Sequence, residues 1–204
     1  MKASSATLAA IAAAVALMAN VPALAGALDD GTAAYHAKDY AKAIAFWQPL
    51  ADSGVAEAQQ HIGVMYAEGK GFVQNDLEAA KWFAKAAEQG DPLAQYDLGA
   101  SFAQGLGVKQ DFALAAKWFQ RAAAQGMAIA QLNLGLLYAS GNGVPKDPVE
   151  AMKWVDLSVY GLPTGGIRSD AARALGDLSA GMTSDQILEA KSRERSYKAA
   201  PEAK

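Results

Sequence analysis

Few residues of this chain could do chemistry, and none of them stands in the pattern of a known active site. The two histidines, His36 and His61, lie 25 positions apart in different predicted helices, whereas a zinc site needs several ligands gathered together. No cysteine occurs in the 204 residues, which removes a disulfide framework, a thiolate nucleophile and a thiolate metal site. The signatures Ser-x-x-Lys, Gly-x-Ser-x-Gly and His-Glu-x-x-His are also absent. The sequence therefore predicts no catalytic residue, no metal and no cofactor.

Two further patterns resemble functional motifs but lack their essential parts. Gly69-Lys70-Gly71 has no glycine at the upstream spacing of a phosphate-binding loop and no Ser or Thr after its lysine. The same Gly-x-Gly recurs later in the chain, always without the third glycine of a dinucleotide-binding loop. The Asp29-Asp30 pair lies at a predicted exposed end, where solvation explains it. Because any fold can bring two carboxylates together, glycosidase-type catalysis stays open, but we predict a protein that is not an enzyme.

The composition indicates one globular domain that does not bind nucleic acid. Apolar residues make up 52% of the chain, which is enough for a continuous core. The formal charge of −3 is small, and basic residues form no run or patch in the sequence. The electrostatic signature of nucleic-acid binding is therefore missing.

The chain consists of copies of one unit, because the same residue types recur 36 positions apart. The clearest copy runs from Asp91 to Gly126, and it is matched one period upstream and one period downstream. The matching positions are Ala58, Gln59, Ile62, Gly63, Tyr66, Gly69, Gly71, Ala79, Lys81 and Trp82 in the first copy, Ala94, Gln95, Leu98, Gly99, Phe102, Gly105, Gly107, Ala115, Lys117 and Trp118 in the second, and Ala130, Gln131, Leu134, Gly135, Tyr138, Gly141, Gly143, Ala151, Lys153 and Trp154 in the third. This spacing predicts a repeat protein.

Each unit is predicted to be a pair of antiparallel helices. In the clearest copy, apolar residues four apart predict a first helix over 93–104, capped by Asp91, and a second helix over 111–125. Gly99 inside the first helix should cost roughly 1 kcal/mol relative to Ala, so its recurrence indicates close helix approach. Gly126 is expected to end the second helix in a left-handed conformation. A single pair would leave its apolar stripe in water, so the units must stack.

These residues carry a family resemblance. The chain resembles the Sel1-like repeat (SLR) family, a relative of the tetratricopeptide repeats, over about residues 31 to 198. The resemblance implies an all-α fold, an α/α solenoid that winds antiparallel helix pairs into a right-handed superhelix with capping helices at both ends. It also implies an adaptor without chemistry of its own. The matching sequences are Ala94-Gln95-Tyr96-Asp97-Leu98-Gly99, Gly105-Leu106-Gly107-Val108, Ala115-Ala116-Lys117-Trp118-Phe119 and Ala122-Ala123-Ala124-Gln125-Gly126.

The two ends of the chain differ from the repeats. Lys2, an apolar run and Ala23-Leu24-Ala25 predict a signal peptide over residues 1–25, cleaved before Gly26. We predict a divergent capping repeat at 26–55, with a short first helix over about 28–38, and three repeats at 56–162. Residues 163–204 are predicted to form C-terminal capping helices, the last of them starting with a capping box at Thr183, and a frayed tail. Because no later apolar run is long enough to span a bilayer, the mature protein is expected in the periplasm or secreted.

The four tryptophans allow two interpretations. Trp47, Trp82, Trp118 and Trp154 could form an aromatic ladder that binds sugar or peptide, but each lies on the apolar stripe of a second helix. The spacing favours core residues. On that interpretation Trp118→Ala should cost roughly 3–5 kcal/mol of stability.

The leading functional hypothesis is a non-enzymatic scaffold of the bacterial cell envelope, expected to be a monomer, that binds a protein partner on the concave face. The alternative is a cell-envelope enzyme or a glycan-binding accessory protein that recognises peptidoglycan. First helices line the concave face of such solenoids, and one stripe of them varies between copies as if free of the repeat constraint. The candidate binding residues on that stripe are His61, Val64, Glu68, Asp97, Ala100, Gln104, Asn133, Leu136 and Ser140.

Overall fold

The computed structural model describes residues 21–199, and these form ten α-helices joined by short connections, with no β-strand among them. The all-α prediction is confirmed. The helices are α1 Val21–His36, α2 Tyr40–Asp52, α3 Ala56–Glu68, α4 Asp76–Glu88, α5 Pro92–Gln104, α6 Phe112–Ala124, α7 Ala128–Ser140, α8 Pro148–Gly161, α9 Gly166–Ala180 and α10 Ser184–Ala199.

From α1 to α9, each helix packs on the next one along the chain, as a solenoid requires. The pairs α1–α2, α3–α4, α5–α6 and α7–α8 form four successive units, here numbered 1 to 4. Helices α9 and α10 both pack on α8. Buried clusters follow one another from the first unit to the last, so stacking makes one continuous core.

The interior glycine of each first helix lets the two helices of a unit approach closely. A Cβ on Gly99 would lie 2.8 Å from Cδ1 of Phe119, and a Cβ on Gly63 would lie 2.6 Å from Cδ1 of Phe83. These separations are too short for a real side chain. The predicted purpose of the interior glycine is confirmed.

The Gly-x-Gly sequences are turns that pack on the preceding unit. Gly107 has a φ of +69°, and a Cβ there would lie 2.0 Å from the carbonyl oxygen of Asp76, at the start of α4. Gly143 stands equally close to the backbone of Phe112 at the start of α6. The interpretation of Gly-x-Gly as a turn between helices is confirmed.

A buried glutamine in the first helix of units 2, 3 and 4 joins neighbouring helices, a role that the residue pattern did not predict. Each of these side chains donates a hydrogen bond to the carbonyl oxygen eight residues earlier, at the end of the preceding helix. A second glutamine, at the end of the unit's own second helix, donates to the oxygen of the first. The pairs are Gln59 to Ala51 at 3.0 Å, Gln95 to Ala87 at 3.2 Å, Gln131 to Ala123 at 3.2 Å, Gln89 to Gln59 at 2.7 Å and Gln125 to Gln95 at 2.9 Å.

The first helix is longer than the sequence predicted. We expected a short helix over about 28–38, but α1 begins at Val21 and runs through the predicted cleavage site. Its packing on α2 includes Leu28, whose carbonyl oxygen accepts a hydrogen bond from Trp47 Nε1 at 3.3 Å. The rest of the predicted signal peptide, residues 1–20, lies outside the described part of the chain. So do the last residues of the predicted tail, 200–204.

The C-terminal helices cover the last unit. The predicted capping box is confirmed, because the Thr183 amide donates to Gln186 Oε1 at 2.9 Å and the Gln186 amide donates to Thr183 Oγ1 at 3.3 Å. Arg193 of α10 pairs with Glu150 of α8 at 2.8 Å. No helix among residues 21–199 is long and apolar enough to cross a membrane.

Candidate protein-binding groove

The structure brings four of the nine candidate residues together in one groove. Val64 and Glu68 from α3 face Asp97 and Ala100 from α5 across a cavity of about 220 Å³. The groove thus lies between the first helices of units 2 and 3. Its remaining lining residues are Ala67, Asp76, Ala79, Phe83, Ser101 and Leu106.

Asp97 is the polar centre of this groove. Its carboxylate accepts a hydrogen bond from Gln60 Nε2 of α3 at 2.8 Å. Burial raises the pKa of Asp97 from 3.8 to about 6, against the effect of the Gln60 hydrogen bond. Among residues 21–199 no Lys, Arg or His forms an ion pair with Asp97. At neutral pH the groove therefore holds a desolvated negative charge.

Glu68, at the edge of the groove, is held by the first unit. The hydroxyl of Tyr35 in α1 donates to its carboxylate, and Lys70 Nζ lies 2.9 Å from the same oxygen. The Tyr35 hydrogen bond, helped by Lys70, lowers the pKa of Glu68. Lys70 also donates to the Tyr35 hydroxyl at 3.0 Å. Glu68 is thus a fixed anion whose charge a neighbouring lysine partly neutralises.

His61, Asp97 and Asn133 form a column in which each side chain lies against the preceding unit, a contact that the residue spacing did not predict. His61 stacks on the Trp47 ring of the preceding unit with 4.3 Å between ring centroids, and burial lowers its pKa. Asn133 lies beside Tyr96 of the preceding unit, and its side chain acts against the rise in the Tyr96 pKa that burial causes. Each member of the column therefore contacts the unit before it.

The other candidate residues lie outside the groove. Gln104 and Ser140 are exposed near the ends of their helices, and the Ser140 hydroxyl donates to the Leu136 carbonyl oxygen at 3.0 Å. Leu136 is 44% exposed. Hence the nine candidate residues do not form a single continuous site.

The tryptophans divide into two kinds, which corrects the interpretation of all four as core. Trp47 and Trp154 are 2% and 4% exposed. Trp82 and Trp118 are half-buried, with Lys85 Nζ 3.7 Å and Arg121 Cζ 4.7 Å from their ring centroids. The ring that fills the core of units 2 and 3 belongs instead to the next residue, Phe83 or Phe119.

The reason is that the tryptophan position of the repeat lies at the outward edge of the core, where Trp82 and Trp118 pack on buried clusters but stay partly exposed. Trp47 stands 36 residues before Phe83 and so occupies the core position. Trp154 occupies the outward position but is covered by α10, whose Tyr197 ring meets it edge-on at 5.1 Å. Around the uncovered Trp118, the outer side of α6 carries a depression of about 480 Å³ that includes Lys117 and Arg121.

No group of three or more His, Asp or Glu side chains within residues 21–199 is placed to hold a metal ion. The arrangement that remains is a stack of helix pairs with an acidic groove between two first helices. This fold defines an α-solenoid of the repeat type.

Comparison with known families specifies the type of repeat. The Sel1 repeat family model matches residues 23–55, 56–91, 92–127 and 128–159, so the chain belongs to the Sel1 repeat family. The family model therefore also counts the divergent first unit, residues 23–55, as a repeat.

Solved structures show the same fold. The chain is 32% identical to a Sel1 repeat protein from Oxalobacter formigenes, with a TM-score of 0.66 over 72% of this chain and 58% of that one. It is 26% identical to c5321, a protective antigen of uropathogenic Escherichia coli with an SLR fold, with a TM-score of 0.55 over 76% of this chain and 40% of that one. The match thus spans well under two thirds of either relative. No curated protein matches the chain significantly.

Proposed function

We propose that this protein is a non-enzymatic scaffold of the bacterial cell envelope that binds a segment of a protein partner in the groove between α3 and α5. Sel1 repeats generally mediate protein–protein interaction, and the family is typically non-catalytic. The observation that carries the choice of site is the Asp97 carboxylate, which the fold keeps desolvated beside a small, largely apolar cavity. An ionisable group in a cleft whose pKa is strongly perturbed is a candidate functional residue.

The groove has a size and position suited to a side chain of a bound segment. Its walls are the small residues Ala67 and Ala100, and its floor includes Phe83 from the second helix. Ala100 and Val64 are half-buried, so the cavity opens to solvent between the two first helices. A partner that inserts a side chain there would bury apolar surface on both walls.

Site-specific photocrosslinking in the native host tests the site. A photoreactive phenylalanine at position 100 should capture a protein partner, while the same group at Glu88, exposed on the second helix α4, should not. A third position, Leu136, occupies the equivalent place one unit later and serves as a matched control. Equal capture at all three positions, or capture at Glu88 alone, would contradict the proposal.

Charge reversal gives an independent measurement with the captured partner. Asp97→Lys should weaken binding by roughly tenfold or more, whereas Glu88→Lys should change it little. If both substitutions act alike, or only Glu88 matters, the groove is not the binding site.

The proposed location in the envelope depends on residues 1–25, with their positive start, apolar run and small-x-small end. N-terminal sequencing of the protein from a periplasmic fraction should begin at Gly26. A cytoplasmic protein that begins at Met1 would contradict export.

A second candidate function, glycan binding, has one observation in its favour. The half-buried Trp118 and its depression of about 480 Å³ offer an aromatic ring with Arg121 nearby, a combination suited to a sugar ring. Peptidoglycan fragments should then bind, and Trp118→Ala should abolish that binding without affecting capture at position 100. Absence of binding to purified peptidoglycan would exclude this function.

A further inference from the structure

The groove between α3 and α5 has a charge of one sign. Three of its lining residues are acidic, namely Glu68, Asp76 and Asp97, and none of its lining residues is basic. Lys70 pairs with Glu68 at 2.9 Å, so the charge that remains uncompensated is centred on Asp97 and Asp76.

The rest of the lining is small or apolar. Apart from the three carboxylates, the lining includes the small or apolar residues Val64, Ala67, Ala79 and Ala100, together with Phe83. A ligand that matches such a surface has an apolar stem and a positive end. The side chains of lysine and arginine have this form, because their methylene groups bury apolar area while the head keeps its charge.

Repeat packing does not require this acidity. One period later the positions of Glu68, Asp76 and Asp97 are occupied by neutral residues, while the fold of the unit is the same. The neutral residues are Gln104, Phe112 and Asn133. The three carboxylates are therefore a local property of one groove and not part of the common scaffold.

We propose that the groove between α3 and α5 accepts a lysine or arginine side chain that projects from an otherwise apolar segment of the protein partner. This inference depends on the proposed function, since it names the chemistry recognised at the same site. The charged end would approach Asp97 and Asp76, and the stem would lie between Val64 and Ala100.

Binding of synthetic peptides to the full-length protein tests whether the positive charge is required, because the peptides differ only in one side chain. The probe is an acetylated, amidated peptide with a central lysine flanked by alanine and leucine, compared with the same peptide carrying norleucine, which lacks only the amine. Fluorescence polarisation should show the lysine peptide binding roughly tenfold more tightly than the norleucine peptide at low salt. A glutamate version should bind more weakly than either.

Two variants and one control variant separate failure of this inference from failure of the proposed function. Asp97→Asn with Asp76→Asn should remove the preference for lysine, while Glu88→Gln should keep it. Ala100→Phe should reduce binding of lysine and norleucine peptides alike, and Leu136 at the equivalent position shows that the scaffold accepts a larger residue there. Helical circular dichroism and melting of each variant check the fold.

The outcomes are then distinct. If lysine and norleucine peptides bind equally, and Ala100→Phe weakens both, the groove binds peptide but the cation is not recognised, and this inference is wrong. If neither the double variant nor Ala100→Phe changes the binding of any peptide, the groove is not a peptide site, and the proposed function is wrong as well.

Discussion

Two junctions of this solenoid share one scaffold and differ in the side chains that face outward from it. Between α3 and α5, the groove residues include Val64, Ala100 and Ser101 together with three carboxylates. Between α5 and α7, the equivalent positions of these three residues hold Ala100, Leu136 and Leu137, and those of the carboxylates hold Gln104, Phe112 and Asn133. The interior contacts are the same at both junctions, since Gln95 and Gln131 each bond to the carbonyl oxygen eight residues earlier.

The difference shows which positions of a repeat can specialise. Glycine, alanine and glutamine positions in the interior are fixed by helix approach and by buried hydrogen bonds. At the junction, Asp97 and Asn133 occupy the same position and both lie against the preceding first helix, yet only Asp97 adds a charge. A desolvated carboxylate costs stability, so the first junction has given up stability for a chemical property that the second junction lacks.

The largest expected loss of stability comes from a substitution in the Gly-x-Gly turn, which both junctions share. Gly107→Ala should lower the free energy of unfolding by about 3–5 kcal/mol, because the new Cβ would meet the backbone of Asp76 in a left-handed conformation. Gly143→Ala, which meets the backbone of Phe112, should cost a similar amount. Urea denaturation followed by circular dichroism measures both.

A matched control separates crowding from backbone strain. Gly90 also has a positive φ, +101°, but an added Cβ would meet nothing within 4 Å. Gly90→Ala should therefore cost only about 1–2 kcal/mol, the strain of a left-handed residue. If Gly90→Ala and Gly107→Ala are equally destabilising, contact with the preceding unit is not what fixes the turn.

The sequence could predict the features that depend on local rules. The period of 36, the helix pairs, the Asp91 and Thr183 caps and the role of Gly99 all follow from residue types at short spacings, and the structure confirms them. The glutamine hydrogen bonds could have been found in the same way, because Ala-Gln recurs in every copy.

The features that the sequence did not predict depend on how separate segments meet. Asp97 bonds to Gln60, 37 residues away, which is one residue off the repeat period and so invisible to an alignment of equivalent positions. The burial of Trp154 depends on the path of α10, which the repeat does not specify. Val64 and Glu68 meet Asp97 and Ala100 in one groove, whereas one period later Ala100 and Ser101 are replaced by the larger Leu136 and Leu137.

The next largest expected change in stability comes from the tryptophan position, which can be compared between the last two units. Trp154→Ala should lower the free energy of unfolding by about 3–4 kcal/mol, because the buried ring packs on Tyr197 and donates to Glu150 at 3.1 Å. Trp118→Ala should cost only about 1–2 kcal/mol, less than the sequence suggested, because Trp118 is half-buried. Thermal and urea unfolding of both variants measure the difference.

The contribution of the covering helix can be isolated. Tyr197→Ala should expose the Trp154 ring and reduce the additional cost of Trp154→Ala in the double variant, since contacting residues are not additive. Additive effects of the two substitutions would mean that α10 does not bury Trp154 in solution.

The smallest effect concerns the charge that distinguishes the two junctions, and its sign follows from the pKa. Because the pKa of Asp97 is about 6 in the folded protein and 3.8 without these surroundings, the folded state binds its proton more tightly than the unfolded state. Wild-type stability should therefore fall as the pH rises from about 4 to about 6 on account of this group. The shift limits the loss to about 3 kcal/mol at 1.36 kcal/mol per pKa unit. Asp97→Asn, which keeps an acceptor for Gln60, should stabilise the protein by about 1–3 kcal/mol at pH 7 and have little effect at pH 4.

The converse substitution at the second junction completes the comparison. Asn133→Asp places a carboxylate where the chain has a neutral amide, beside Tyr96 of the preceding unit. This substitution should destabilise the protein at pH 7 and not at pH 4. The loss of stability should be smaller than the gain from Asp97→Asn if the second junction is better solvated. Other carboxylates titrate in the same range, so each curve of unfolding free energy against pH is subtracted from that of the wild type. A flat difference curve for Asp97→Asn between pH 4 and pH 7 would show that the Asp97 carboxylate is not desolvated, which would remove the main support for the groove as the binding site.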